Sequence, residues 1–217
     1  MIQADRLLDA PAREQAMACR GHIEGYIKQY PDFVTTLVPW NKQAFGPEVV
    51  RDMILAGNAA GVGPMAAVAG AVAESVGRRL LEHSQQVVVE NGGDVFVKTD
   101  DPIVAGLFAG KSPLSMKVGI RVPNSRDGIG MCTSSATVGH SLSIGSADAV
   151  CVVSRSCALA DAAATAIGNR VRSLRGIKPA IDFGKQITGV VGIVVVVGRE
   201  MGAWGQVELV PLKGKKG

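Results

Sequence analysis

Asp161 and Thr165 stand four positions apart in "CALADAAATAIGN", residues 157–169. In a helix that spacing puts a carboxylate and a hydroxyl on one face, one turn apart. Oxygens that converge in this way suit a hard cation such as Mg²⁺, usually shared with phosphate and water. The plain structural account of Asp161 is a favourable charge near a helix start. Thr165 has no such account, because a β-branched residue is mildly unfavourable inside a helix.

Three further stretches carry candidate chemistry. In "ENGGDVF", residues 90–96, Gly92 and Gly93 permit a tight turn with positive φ, and Asn91 tolerates that region too. A hairpin needs the glycines but not acids on both sides, so Asp94 is a candidate catalytic group. "CTSSATVGHSLSIGSADAV", residues 132–150, is dense in small hydroxyl residues around His140. Ser134, Ser135, Thr137, Gly139 and Ser141 could cradle a polar ligand against the main chain, with His140 as base. The same run also reads as a polar surface loop with a structural histidine. "GVGPMA", residues 61–66, matches the dinucleotide fingerprint G-x-G-x-x-A, which requires a buried strand just before the glycines. The preceding "EVVRDMILAGNAA" holds Arg51 and Asp52 and reads as helix, which makes the glycines a loop that lets two helices approach.

These residues must be held by a scaffold that the rest of the chain predicts. Apolar spacing gives a helix over 10–30, with Asp9 as its cap and Pro11 in its first turn. A second helix runs from Pro47 to about Leu55, and a third from Pro64 to about Ser84. Strands follow in "QQVVVE", "VFVKT", "VAGLFAG", "MKVGIRV", "GIGMCTS" and "DAVCVVS". A helix over 157–171, a helical turn near 179–186 and the strands "GVVGIVVVVG" and "QVELVPL" close the chain. That order predicts an α+β fold with a largely antiparallel sheet packed by helices. It is read as one domain over 1–217, helical over about 10–84 and strand-rich beyond, with a basic tail at 213–217.

Composition narrows the partners. The net charge of +4 owes three units to Lys213, Lys215 and Lys216, so the body is near neutral and shows no nucleic-acid footprint. Residues 53–73 hold no charge, but Asn58, Pro64 and four glycines interrupt them, which favours a buried helix over a membrane span. No signal peptide is legible at the N-terminus. Cys19, Cys132, Cys151 and Cys157 form no CxxC and read as reduced thiols of a cytoplasmic protein. A homo-oligomer is compatible with all of this.

Taken in order, "VENGGDVF", "CTSSATVGHSLSIGSADAVCVV" and "ALADAAATAIGN" resemble the ApbE-like superfamily, which includes the FAD:protein FMN transferases. "VGPMAAVAGAVAE" with "VVVENGGDVF" is similar to a small prokaryotic branch of it, and the resemblance runs from about Ala18 to Val197. It implies a fold related to the tunnelling fold, with FAD and Mg²⁺ as cofactors and a flavin or nucleotide as small-molecule partner. It implies that Asp161 and Thr165 hold Mg²⁺ beside a pyrophosphate. His140 would be base or ligand contact, and Gly92, Gly93 and Asp94 would lie near the flavin cleft. The implied function is Mg²⁺-dependent flavin transfer or pyrophosphate cleavage, or non-catalytic binding on a degenerate transferase fold. Three features depart from the transferases. "HSLSIG" lacks the acid and proline that usually follow the histidine, no strand pair is legible before Leu8, and there is no export signal or lipobox.

Overall fold

The computed structural model describes residues 1–42, 45–122, 125–135 and 145–212. Helices come first: α1 (Asp9–Gln29), α2 (Glu48–Ala60) and α3 (Val68–Leu81), with the short strand β1 (Ile2–Ala4) ahead of them. Six strands follow: β2 (Val87–Asn91), β3 (Asp94–Lys98), β4 (Ile103–Gly106), β5 (Val118–Val122), β6 (Ile129–Ser134) and β7 (Ala149–Ser154). Then come α4 (Cys157–Gly168), α5 (Ile177–Gly184), β8 (Val190–Val197), β9 (Glu200–Gly205) and β10 (Glu208–Pro211). Seven strands form one sheet in the order β1-β2-β3-β6-β7-β8-β9, and three form a second in the order β10-β5-β4. Every pairing described is antiparallel, so the fold is α+β as the element order predicts.

The large sheet is covered on both faces. Val87, Val89, Phe96, Cys132, Val150, Val152, Ile193 and Val195 pack against the helices. Val97, Met131, Ala149, Cys151, Val153, Val194 and Val196 pack against Ile120, Val122 and Leu107 of the smaller sheet and its connection. Strands β7 and β8 therefore lie between two apolar layers, which is why "AVCVV" and "IVVVV" read as unbroken hydrophobic runs rather than as alternation.

Several boundaries differ from expectation. Asp9 is the first helical residue and not the cap; Leu8 holds that place without a side-chain hydrogen bond. Helix α2 continues past Leu55 to Ala60, where Gly61 takes a left-handed φ of 75° and ends it. Pro64–Ala67 is a 3-10 turn, and the α-helix proper starts at Val68. A helix, not a strand, precedes the glycines of "GVGPMA", which removes the dinucleotide fingerprint. Those glycines serve close approach instead: a side chain at Gly63 would run into the backbone of Thr36 and Leu37. The uncharged stretch spans two short helices bent by 106°. Among the described residues, no single helix is long and apolar enough to cross a membrane.

Two strands had no sequence expectation. β1 pairs with β2 before Leu8, and β9 pairs with β8. Both lie at edges of the large sheet.

Candidate functional site

Helix α4 forms because alanine dominates it and because its start is fully capped. Ser156 Oγ accepts from Leu159 N at 3.3 Å, and Ser154 Oγ accepts from Ser156 N at 3.2 Å. The N–H groups of Cys157 and Ala158 donate to Glu74 Oε2 of α3, at 2.7 and 3.4 Å. All four N–H groups that a helix start leaves over thus have partners. Nine of the twelve residues of α4 are buried, and the exceptions are Leu159, Asp161 and Thr165. Asp161 and Thr165, one turn apart, therefore line the part-open edge of an otherwise enclosed helix.

Asp161 already has a structural partner. Its Oδ2 accepts from Gly70 N at 2.9 Å, in the first turn of α3. Helix α3 thus supplies a carboxylate to the start of α4, and α4 returns one to the start of α3. The clasp needs a glycine: a Cβ at Gly70 would strike the Cys157 carbonyl and come within 2.8 Å of Asp161 Cβ. Gly70→Ala should force the helices apart and cost about 2–3 kcal/mol, within the usual range for overpacking. Urea denaturation measures it, and an unchanged midpoint would show that the helices have room.

Asp94 lies on the same side of the sheet. It pairs with Cys132 across β3 and β6, on the face that carries Phe96 toward the helices. Burial pushes its carboxyl from 3.8 up to about 7, against hydrogen bonds from Cys132 and from the Thr133 N–H. Burial also holds Asp161 well above the usual carboxyl range, and the charge of Asp94 adds to it. The charges of Asp94 and Asp161 therefore influence each other. Among the described residues, no ion pair includes either.

Two thiols complete the enclosure. Cys132 Sγ is 3.4 Å from Cys157 Sγ and 3.3 Å from the Cys157 carbonyl. Burial first, and then Cys157 and the charges of Asp94 and Asp161, hold the Cys132 thiol well above its usual range. Such thiols stay protonated and make poor ligands for soft metals. The carboxylate and hydroxyl oxygens remain, and they suit a hard cation. Among the described residues, no three His, Cys, Asp or Glu side chains are grouped to hold a metal. The protein's share of an Mg²⁺ shell would thus be Asp161 with hydroxyls, and phosphate or water would have to supply the rest.

Ser134 is such a hydroxyl. Gly130 lies against Cys157, where a Cβ would meet Cys157 N at 2.7 Å, and Gly145, just before β7, lies against Gly168. Helix α4 therefore runs alongside β6 in the same direction. Cys132, two residues along β6, meets Cys157, and Ser134 follows it on the helix side of the sheet. Among the described residues, Ser134 Oγ is a buried polar atom with no hydrogen-bond partner. An orphan of this kind costs about 1–3 kcal/mol unless a ligand or water satisfies it.

Alternation sends Ser135 to the opposite face of the sheet. There it joins Gly92, Gly93, Thr133, Val95, Met131 and Phe108 in lining a groove of about 490 Å³ between the two sheets. Gly92 and Gly93 make the expected two-residue hairpin turn, with φ of 67° and 106°. Asn91 Nδ2 donates to the Ala69 carbonyl at 3.1 Å and ties that turn to the start of α3. The predicted residues thus fall into two groups on either side of one sheet end. Asp94, Ser134, Asp161 and Thr165 lie on the helix side, while Gly92, Gly93 and Ser135 border the groove. Thr137, Gly139, His140 and Ser141 lie outside the described residues.

The family model described as "AbpE bacteria" matches residues 1–198. The chain belongs to the ApbE-like family. Its relatives include the UPF0280 protein of Methanocella arvoryzae, 43% identical over 188 residues, or 86% of this chain and 76% of that one. Another is the UPF0280 protein of Methanocaldococcus jannaschii, 42% identical over 201 residues, 90% of this chain and 82% of that one. Among solved structures, the apo flavinyl transferase ApbE of Pseudomonas stutzeri matches with a TM-score of 0.44 and 19% identity, over 67% of this chain and 48% of that one. The flavin transferase ApbE of Vibrio cholerae matches with a TM-score of 0.41 and 15% identity, over 66% and 50%. The ApbE-like chain thus aligns with about half the length of those transferases.

The sequence of this ApbE-like chain did not point to Gly70 or Glu74, and it marked Cys132 and Cys157 only as reduced thiols. One signal was present for Glu74: it is the first charge after the uncharged run 53–73. An acid there, facing inward, needs a buried donor.

Proposed function

We propose that this protein binds a flavin or another nucleotide diphosphate together with Mg²⁺ at the Asp161–Thr165 edge of α4. The supporting observation is a shortage of positive charge. Two carboxyls, buried Asp94 and part-open Asp161, influence each other with no cationic side chain paired to either among the described residues. Asp161 and the hydroxyls of Thr165 and Ser134 would hold the cation. Bound Mg²⁺ would supply charge neutralisation for the phosphates. The ring system of a flavin would fit the apolar groove beside Val95, Met131 and Phe108, reached around the side-chain-free turn Gly92–Gly93. Asp94, with its proton poised near neutrality, is suited to take or give a proton at a bound diphosphate. Transfer of a flavin or cleavage of its pyrophosphate is the reaction such a site would serve. The missing acid and proline after His140 favour a second reading, binding without turnover.

Calorimetry with FAD and with ADP, each with and without Mg²⁺, tests the site. Both ligands should bind in an Mg²⁺-dependent way, FAD the more tightly because its ring buries apolar surface. No nucleotide binding in the presence of Mg²⁺ would end the proposal. Incubation with FAD separates the two readings: FMN or flavinylated protein marks an enzyme, and unchanged FAD marks a binding protein.

A further inference from the structure

We infer that Glu74 is a positioning residue: its carboxylate fixes where α4 starts, and so where Asp161 and Thr165 point. The inference rests on the Mg²⁺–diphosphate reading of that edge. Glu74 is 8% exposed, and both of its oxygens are engaged. Oε2 accepts from Cys157 N at 2.7 Å, Ala158 N at 3.4 Å and Ser156 Oγ at 3.3 Å. Oε1 accepts from Arg78 Nε at 3.1 Å and Nη2 at 2.7 Å, one turn along α3. A buried acid fully satisfied at a helix start also opposes the positive end of the helix dipole.

The buried face of α4 explains why the helix needs such a clamp. It is built of Ala158, Ala160, Ala162, Ala163, Ala164 and Ala166, with Gly70 and Gly130 pressed against its first turn. Gly70 and Gly130 meet the backbone of Cys157, so the first turn of α4 sits directly on two glycines and its position depends on the groups that hold its start. A binding constellation tolerates misplacement of only about 0.5 Å. The directional bonds from Glu74 to two successive N–H groups provide the lock, and the Asp161–Gly70 bond closes it from the other side. Glu74 acts through α4 and touches no ligand.

Three variants test this by calorimetry with ADP and Mg²⁺ and by amide hydrogen exchange over residues 156–160. Glu74→Ala should expose the Cys157 and Ala158 amides to faster exchange and weaken Mg²⁺-dependent ADP binding by about tenfold or more, as loss of charge-assisted bonds does. Glu74→Gln keeps an acceptor of the same length, so it should hold slow exchange and stay within about threefold of native affinity. Val122→Ala, a core change in the smaller sheet, should lower stability without changing affinity. If Glu74→Ala does not fold, Glu74→Asp, too short to reach both amides, replaces it. Native affinity in the Ala or Asp variant would overturn the inference. So would a Gln variant as weak as Ala, since charge and not position would then matter. A native protein that binds no ADP with Mg²⁺ would sink the site reading, and fast exchange confined to Glu74→Ala would still establish the clamp.

Discussion

Raising the pH from about 4 to about 7, in the absence of divalent cation, should weaken the fold by about 3 kcal/mol through Asp94 alone. The carboxyl of Asp94 is lifted from 3.8 to about 7 when the chain folds. Below the lower value both folded and unfolded chains hold the proton, and its contribution to stability is complete. Between the two values the unfolded chain releases the proton while the folded chain keeps it, so stability falls as pH rises. Above the upper value both are ionised and the loss is constant. Asp161, raised first by burial, acts in the same direction, as does Asp52, raised by loss of solvation and by the charges of Glu74 and Glu48. Asp94→Asn should therefore flatten the decline without abolishing it, and should be the more stable protein at pH 8. Urea denaturation of both proteins between pH 4.5 and 8 measures this. Parallel curves with no change in slope would show that Asp94 is solvated and not buried.

The fold was legible where the hydrophobic pattern was unambiguous. The period of α1 from Ala16 to Tyr26 and the unbroken runs of β7 and β8 each had one reading, and the structure has those elements. The two missed strands had no pattern to read. β1 has three residues, mostly exposed, and is a strand only because the edge of β2 offers partners. β9 reads "EMGAWG", in which Gly202 and Gly205 contradict strand propensity. Those glycines are required by neighbours distant in sequence. A Cβ at Gly202 would meet Ile177 at 2.6 Å, and one at Gly205 would strike the Val191 backbone.

The site was legible as residue types and only partly as relations. Spacing alone put Asp161 and Thr165 on one face, and two glycines flanked by acids announced the turn before Asp94. Spacing does not tell which face of a strand Ser134 and Ser135 take, and one residue of phase separates the helix side from the groove. Nor did it show the tertiary partners of the acids. Glu74 and Asp161 lie 87 positions apart in sequence, yet each caps the helix that carries the other. The carboxylate first read as a charge near the start of its own helix belongs, in the structure, to the start of α3.

That double duty sets the expected behaviour of two substitutions at Asp161. Asp161→Ala removes both a cation ligand and the acceptor for Gly70 N, so it should lose stability as well as binding. Truncating a part-buried acceptor and orphaning a helix N–H costs about 1–3 kcal/mol. Asp161→Asn keeps an oxygen for the Gly70 N–H but carries no charge for Mg²⁺, and a neutral amide escapes the burial penalty that raises the native carboxyl. It should be as stable as native at pH 5 and more stable at pH 8. Its Mg²⁺-dependent affinity for ADP should still fall by about ten- to a hundredfold, the loss of a charge-assisted contact. Thr165→Val should weaken binding less, since a neutral hydroxyl is the poorer ligand, and should leave stability near native. Thermal denaturation at both pH values, set beside calorimetry with ADP and Mg²⁺, separates the roles. Asn binding as tightly as native would leave Asp161 with the cap alone. Asn as unstable as Ala would mean that its oxygen does not take the Gly70 N–H.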